Sequence, residues 1–322
     1  MTGGDGLKNR IKLPIIVGPT ASGKSALALA IAEEVGGEIV SCDSMQIYKR
    51  MNIGTAKPTV EELKRVRHHM IDIIEPWENF SCADYARIAD EAISDVVSRG
   101  KIPIICGGTG LYLDALLRGG LPEIADNDEG YRAELCAFLE REGAEALHKK
   151  LAEVDPESAE AIHMNNTKRV IRALEIYHTS GRKKSELDKE NSRIDGKYEP
   201  LAVGLFYPDR SVLYERIDRR VDIMMDKGLL GEVKALEKEG VFERSKTASG
   251  AIGYKELLGY IHGTMSLEEA VDNLKMATRR YAKRQCTWFF AKDYINKIEI
   301  NAPIDEKTFE KSVKNAKKVF LF

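Results

Sequence analysis

The strongest chemical signal in the chain is Gly18-Pro19-Thr20-Ala21-Ser22-Gly23-Lys24-Ser25. A glycine, four residues, then Gly-Lys-Ser is the pattern of a phosphate-binding loop. Successive backbone N–H groups in such a loop form a concave nest, and the following helix N-terminus adds partial positive charge. Lys24 supplies a full charge to phosphate oxygens, and Ser25 offers a hydroxyl to a phosphate-bound Mg²⁺. Gly18, Thr20, Ala21, Ser22 and Gly23 complete the candidate diphosphate cradle. The pattern implies that a di- or triphosphate binds, without naming it. A chance match in a glycine-rich turn is the bland alternative. It is countered by an apolar run at 13–17, suited to a buried strand, and a helix-forming run at 26–32.

Two further stretches point at the same place. A short strand at 37–42 ends at Asp43-Ser44-Met45-Gln46, and a buried strand at 102–106 empties into Gly107-Gly108-Thr109-Gly110. In open α/β sheets, ligands gather beyond the carboxyl ends of the strands. Asp43 and Thr109 are thereby expected in one crevice with Lys24. Asp43 reads equally well as a turn or cap residue. What is missing also matters. P-loop hydrolases usually hold Mg²⁺ with a strand-end Asp, but the strand at 102–106 ends in Cys-Gly-Gly, and no Asn-Lys-x-Asp guanine signature occurs. The machinery for hydrolysing a nucleotide is incomplete.

Cationic residues cluster in two helical stretches. Lys168, Arg169 and Arg172 line one side of a helix expected at 167–177, with Val170, Leu174 and Tyr177 at i, i+4, i+7 on the other. Arg280, Lys283 and Arg284 share a face of a long helix within 266–290, beside Tyr281, Gln285 and Trp288. A cationic stripe next to aromatics suits phosphate contact and base stacking. A solvated surface paired with local acids is the competing reading.

The remaining elements must position these groups. The spacing predicts an amphipathic helix over 81–99, a short helix opened by a Thr59/Glu62 capping box, and a return to the sheet at 201–207. Charged helices follow at 211–225, which carries Arg216, Arg219 and Arg220, and at 229–239. From 121 to 196 the pattern turns helical, with segments from Asp126 to Leu139, 144–151 and 157–162. The expected architecture is an α/β, P-loop-type parallel sheet flanked by helices. It is divided into a core of 1–120 and 197–322 and an all-helical insertion of 121–196. The adjacent His68 and His69 point apart on any regular element and make a poor metal pair.

Composition bounds the function. The chain has 322 residues, 43% hydrophobic and 31% charged, which suits a soluble globular protein. A net charge of −2 gives no general attraction for polyanions, so any nucleic-acid site must be a local patch. The five cysteines form no C-x-x-C pair, which argues against structural zinc or a disulfide framework and suits a reducing cytoplasm. No apolar run is long enough to span a membrane, and residues 1–10 lack a signal-peptide core.

Together these stretches resemble the tRNA dimethylallyltransferases, the enzymes that prenylate adenosine at tRNA position 37. The resemblance runs over nearly the whole chain. It is carried by the P-loop, Asp43-Ser44-Met45-Gln46-Ile47-Tyr48, Asn52-Ile53-Gly54-Thr55-Ala56-Lys57-Pro58, His68-His69-Met70-Ile71-Asp72 and Gly107-Gly108-Thr109-Gly110-Leu111-Tyr112. Further along it is carried by Lys168-Arg169-Val170-Ile171-Arg172-Ala173-Leu174-Glu175, Gly253-Tyr254-Lys255 and Arg279-Arg280-Tyr281-Ala282-Lys283-Arg284-Gln285. The resemblance implies that the loop holds the pyrophosphate of dimethylallyl diphosphate, with Mg²⁺ as cofactor. Asp43 would contact the target amine as general base, while Thr109 and Arg220 reach the departing pyrophosphate with Lys24 and Ser25. It implies tRNA contacts, to the anticodon stem-loop, from Asp43, Ser44, Met45, Gln46, Thr109, Arg132, 168–172, Gly253, Tyr254 and Lys255. Arg280 and Arg284 join them on the charge argument above. Where the family often reads Ala-Asp-Pro-Glu-Val-Arg, this chain has Ala125-Asp126-Asn127-Asp128-Glu129-Gly130-Tyr131-Arg132. A eukaryotic-type C-terminal zinc finger is absent, so the resemblance is to the bacterial type. A cytoplasmic monomer is expected. The competing functions are prenylation of free adenine nucleotides, a small-molecule P-loop kinase, and a non-catalytic P-loop module that binds RNA.

Overall fold

The computed structural model describes residues 10–119, 128–190, 196–301 and 305–322. The start of the helical segment expected from Asp126 and the departure at Ala125-Asp126-Asn127 lie outside them. By contacts the chain divides into one unit of 1–117 and 197–322 and a second of 118–196.

The first unit opens with β1 (Ile11–Val17), the P-loop, α1 (Lys24–Val35) and β2 (Glu38–Cys42). Then come α2 (Val60–Arg65), β3 (His68–His69), α3 (Cys82–Ser98), β4 (Pro103–Gly107) and α4 (Gly110–Leu117). The capping box predicted at Thr59 and Glu62 opens α2, and Ser81 with Asp84 makes another at the start of α3. The second unit holds α5 (Glu129–Val154), α6 (Pro156–Ala161), α7 (Thr167–Ser180) and α8 (Lys184–Glu190). The chain then returns to the first unit with β5 (Tyr198–Phe206), α9 (Arg210–Asp226), α10 (Leu229–Lys238), α11 (Val241–Arg244) and α12 (Lys246–Ser249). It finishes with α13 (Tyr254–Ile261), α14 (Leu267–Phe289), β6 (Ile295–Glu299) and α15 (Glu306–Phe320).

The sheet has six strands in the order β3-β2-β4-β1-β5-β6, every neighbouring pair parallel. Parallel strands covered on both faces read as unbroken apolar runs. Accordingly Leu13, Ile15, Ile16 and Val17 of β1 are almost wholly buried. The register decides where the chemistry falls. Val17 pairs with Gly107, and Cys42 pairs with the same Gly107. Three strands therefore end level, and the segments starting at Gly18, Asp43 and Gly108 leave the sheet side by side.

One core cluster packs α1, β5, α9 and α15 around the sheet, joining Leu27, Ile31, Val203, Leu213, Ile217 and Phe320. A second joins Ile47, Tyr48 and Met51 to the helices α9 to α14 through Val233, Tyr254 and Leu274. The insertion unit has its own core, built on Leu135, Leu147, Leu151, Val170, Ile171 and Leu174.

Several elements depart from expectation. The helix opened near Asp128 runs on to Val154 and breaks at Gly143, whose φ of 85° is left-handed. On α7, Tyr177 lies outside the buried face, 37% exposed, and Ile171, Ala173 and Ile176 fill that face with Val170 and Leu174. Strand β6 has only two buried side chains, Ile295 and Ile298, which leaves no period to read in the sequence. Among the described residues no helix is long and apolar enough to cross a membrane.

Candidate active site

The P-loop turns from β1 into α1 through Gly23, at φ 95°, and Ala21, at φ 61°. Gly23 is required there because a left-handed residue at the helix entry leaves the first-turn N–H groups open. Three distant side chains brace the loop from outside. The Thr20 N–H donates to Gln285 Oε1 at 2.8 Å. Arg216 Nε donates to the Ala21 carbonyl at 2.9 Å, and the Tyr207 hydroxyl donates to the Ser22 carbonyl at 2.9 Å. Sequence reasoning does not single out any of the three as a site residue. The signal for Gln285 lies in its place among the arginines of α14; Arg216 and Tyr207 have no distinguishing pattern.

Two cations meet over the cradle. Among the described residues Lys24 Nζ reaches only the Pro19 carbonyl, at 3.3 Å. Burial pushes the Lys24 pKa down, and the charge of Arg220 pushes it further. Burial likewise lowers that of Arg220, which has no hydrogen-bond or ion-pair partner among the described residues. Asp43 is the carboxylate whose charge both cations feel. Ser22 Oγ is wholly buried, with no partner among the described residues. Two desolvated cations, an orphaned hydroxyl and open loop amides together describe a site for a compact anion.

Asp43 combines both of its sequence readings. One oxygen, Oδ1, accepts from the Met45 N–H at 2.9 Å and, more weakly, from that of Gln46 at 3.4 Å, closing an Asx turn. Its other oxygen has no partner among the described residues. Thr109 Oγ1 accepts from the Ser44 N–H at 2.9 Å and lies 3.3 Å from Ser44 Oγ. The amides of Gly108 and Thr109 both donate to the Cys42 carbonyl at 3.1 Å. Gly108 is needed for close approach, since a Cβ there would lie 2.2 Å from Gln285 Nε2. The thiols ending these strands are inert: burial pushes Cys42 up to about 12 and Cys106 up to about 11.

The expected RNA-facing residues divide when placed on the structure. Lys168, Arg169, Lys255, Arg280 and Arg284 are exposed. Arg280, Lys283 and Arg284 make no ion pair among the described residues, so the reading in which local acids neutralise them does not hold. Arg279 instead pairs with Asp218 at 2.6 Å. The other expected residues have internal partners or packing. Val170 and Ile171, 0% and 4% exposed, lie in the insertion core and orient α7 rather than offer their side chains outward. Arg132 donates to both oxygens of buried Glu175, at 2.9 and 3.0 Å, and Arg172 lies 3.7 Å from the same carboxylate. Tyr254 is fully buried and donates to Glu232 Oε1 at 2.7 Å, while Gly253 forms the left-handed entry to α13. Gln46 is also engaged internally. It accepts from Ser41 Oγ at 3.0 Å and donates to the Thr55 and Ala56 carbonyls. Met45 packs against the second core cluster.

The histidines have structural partners. His68 Nδ1 bonds the Val66 carbonyl at 2.9 Å, and His69 Nε2 bonds Glu38 at 2.8 Å. No cluster of three or more metal-ligating side chains occurs among the described residues. At the P-loop, Ser25 is exposed on the first turn of α1, and the neighbouring Lys24 carbonyl accepts from Cys106 Sγ at 3.7 Å.

Comparison with known proteins identifies the family. A family model described as IPP transferase matches residues 46–292. The tRNA dimethylallyltransferase of Bacillus subtilis (strain 168) is 48% identical over 307 residues, covering 95% of this chain and 96% of that protein. That of Caldanaerobacter subterraneus subsp. tengcongensis is 46% identical over 306 residues, with the same coverage. Among solved structures, the full-length tRNA isopentenylpyrophosphate transferase of Bacillus halodurans is 42% identical with a TM-score of 0.70, covering 96% of this chain and 97% of that one. A eukaryotic dimethylallyltransferase acting on tRNA is 31% identical with a TM-score of 0.74, covering 90% of this chain and 74% of that one. With a family match over most of its length and relatives this similar end to end, the chain belongs to the IPP transferase family, alongside the tRNA dimethylallyltransferases.

Proposed function

We propose that the protein transfers the dimethylallyl group of dimethylallyl diphosphate to the N6 amine of adenosine 37 in tRNA, releasing pyrophosphate. The observation that carries this reading is the juxtaposition of Asp43, one of whose oxygens has no partner among the described residues, with two desolvated cations, Lys24 and Arg220, over a P-loop. No carboxylate ends β4 where an ATPase would hold its metal.

The chemistry follows from these groups. An aryl amine is a weak nucleophile because its lone pair is delocalised into the ring. Asp43 accepts the amine proton as the C–N bond forms. The allylic C–O bond breaks at the same carbon, and its electron pair leaves with the pyrophosphate. Loop amides, Lys24, Arg220 and Thr109 stabilise that developing charge. The residues Gly18, Thr20, Ala21, Ser22 and Gly23 shape the diphosphate nest, with Ser22 Oγ as a buried hydroxyl awaiting a partner. Ser25 is the side chain that would hold Mg²⁺ arriving with the diphosphate, and such an ion supplies charge neutralisation at the leaving group.

The adenine must leave its stack to reach Asp43, at a cost of a few kcal/mol. Phosphate contacts from exposed Lys168, Arg169, Lys255, Arg280 and Arg284 offset this cost. The segment Ser44-Met45-Gln46 sets the turn that presents Asp43, and Ser44 is its hydroxyl-bearing edge. A tRNA substrate places the work in the cytoplasm, and every group named here comes from one chain, so a monomer suffices. The test is direct. Incubation with radiolabelled dimethylallyl diphosphate and unmodified tRNA should put label into the RNA, one pyrophosphate released per group transferred. Brisk ATP cleavage with no labelled RNA would overturn the proposal.

A further inference from the structure

The segment Asn52-Ile53-Gly54-Thr55-Ala56-Lys57 carries part of the family resemblance, yet it holds no group of the proposed reaction. Three of its backbone amides converge on one carboxylate. The Asn52 and Ile53 N–H groups donate to Glu232 Oε2 at 2.9 and 2.8 Å, and that of Gly54 donates to Oε1 at 3.1 Å. The Tyr254 hydroxyl donates to the same Oε1 at 2.7 Å. The Tyr254 ring also covers Gly54, where a Cβ would lie 2.6 Å from ring carbons, so α10 and α13 grip the segment together. Its far end meets the acceptor turn. Gln46 Nε2 donates to the Thr55 and Ala56 carbonyls at 3.3 and 3.2 Å, while Gln46 Oε1 accepts from Ser41 Oγ of β2 at 3.0 Å. The Gln46 N–H reaches Asp43 Oδ1 at 3.4 Å.

We propose that Glu232 is a positioning residue for the acceptor carboxylate: by gathering the amides of 52–54 it fixes the Thr55 and Ala56 carbonyls, through them the Gln46 side chain, and so the turn that presents Asp43. A carboxylate suits this task, since its two oxygens accept from four donors in fixed directions and its bonds are charge-assisted. Among the described residues none of these bonds reaches the P-loop, so Glu232 acts on the acceptor half of the site.

The inference rests on Asp43 being the base, and its test separates the two ideas. Glu232→Gln keeps the size of the side chain but turns an NH₂ group towards donors. It should lower kcat about tenfold, as expected when a charge-assisted bond is lost, with KM for dimethylallyl diphosphate within about twofold of wild type. Amide hydrogen exchange should quicken at 52–54 and also at Met45 and Gln46. Tyr254→Phe leaves the three amide bonds in place and should do the same more mildly, about two- to threefold in kcat; it carries these readings if Glu232→Gln does not fold. In a Gln46→Leu background, neither substitution should change exchange at Met45 further, because the link is gone. Exchange at Met45 and Gln46 unaltered by both variants would overturn the inference, as would an additive change in the Gln46→Leu background or an unchanged kcat. Failure of the wild-type protein to label tRNA would count against the transferase reading alone, since exchange is read without substrate.

Discussion

Gln285 and Thr20, 265 positions apart in the chain, are joined by a 2.8 Å hydrogen bond from the Thr20 N–H to the Gln285 side-chain oxygen. The amide nitrogen of the same glutamine donates to the Gly108 carbonyl at 2.9 Å. One buried side chain thus sets the spacing between the P-loop and the strand end that carries Thr109.

Replacing Gln285 by Leu should leave the Thr20 amide and the Gly108 carbonyl without this partner. A buried polar group left unsatisfied costs roughly 1–3 kcal/mol. Diphosphate affinity should therefore fall about tenfold or more, measured by calorimetric titration with dimethylallyl diphosphate. Gly108→Ala should act similarly, because the new methyl meets Gln285 Nε2. Unchanged affinity in both variants would show that the loop holds its shape unaided.

Asp43→Asn isolates the proton transfer from the turn. The amide oxygen of Asn still accepts from the Met45 N–H, but the group no longer takes a proton. A fall in kcat of about 10²–10⁴-fold is expected for loss of a general base. Affinity for tRNA, measured by gel shift, should stay within about twofold because no phosphate contact is removed. A near-normal rate would remove Asp43 from the reaction.

The pH dependence of diphosphate binding follows from Lys24. Burial, reinforced by Arg220, holds its folded-state pKa below the ordinary lysine value. The free protein therefore binds this proton less tightly than the unfolded chain does, and without ligand the charged lysine costs stability at neutral pH. That cost is relieved as pH rises through the lowered pKa towards the ordinary one. A bound diphosphate reverses the balance by pairing with the ammonium. Affinity should accordingly decline on the alkaline side, beginning before free lysine titrates, and Lys24→Met should abolish that decline along with most of the binding. Calorimetry across neutral and alkaline pH checks both.

On the insertion unit, Lys168→Ala and Arg169→Ala should weaken tRNA binding and flatten its salt dependence. Each cation withdrawn from a phosphate should reduce the slope of log K against log salt by roughly 0.7–1. Alanine at Val170 should instead lower the stability of the unit by about 1–3 kcal/mol, as cavity formation in a core does. Filter binding over a salt series, with thermal unfolding, separates the two effects.

Acid should loosen the insertion unit through Asp155. Burial alone would raise its pKa. The Ser158 N–H at 3.1 Å, and the Ser185 N–H and hydroxyl at 3.0 and 2.7 Å, outweigh that and hold it at about 2. A carboxylate depressed in this way adds stability that is complete above the unfolded value, about 3.9, and is lost as pH falls through the folded one. About 2 kcal/mol is at stake. Exchange of amides in 128–190 should quicken over that acid window, and Asp155→Asn should flatten the response.

How much of this is legible in the residues varies with the kind of signal. The P-loop, Asp43 and Thr109 are readable because each follows an apolar run that could only be a buried strand, and strand ends carry sites in open sheets. The insertion is readable from its shift to charged helical patterns. What does not show are the braces. Arg216 and Tyr207 hold loop carbonyls across long sequence separations, and no local pattern marks such a contact. Tyr254 and Gln46 look like surface polar residues because a hydroxyl or amide gives no hint that its partner is internal. The contact of Arg132 and Arg172 with Glu175 does not show either, because that buried carboxylate sits on an apolar side of α7.

The bracing of the P-loop bears on synthesis of the chain. The loop leaves the ribosome before Tyr207, Arg216 and Gln285, the side chains that lock its carbonyls and amide. A nascent protein therefore carries an unfinished nest until these residues emerge, and the proposed diphosphate site is complete only once α14 has docked.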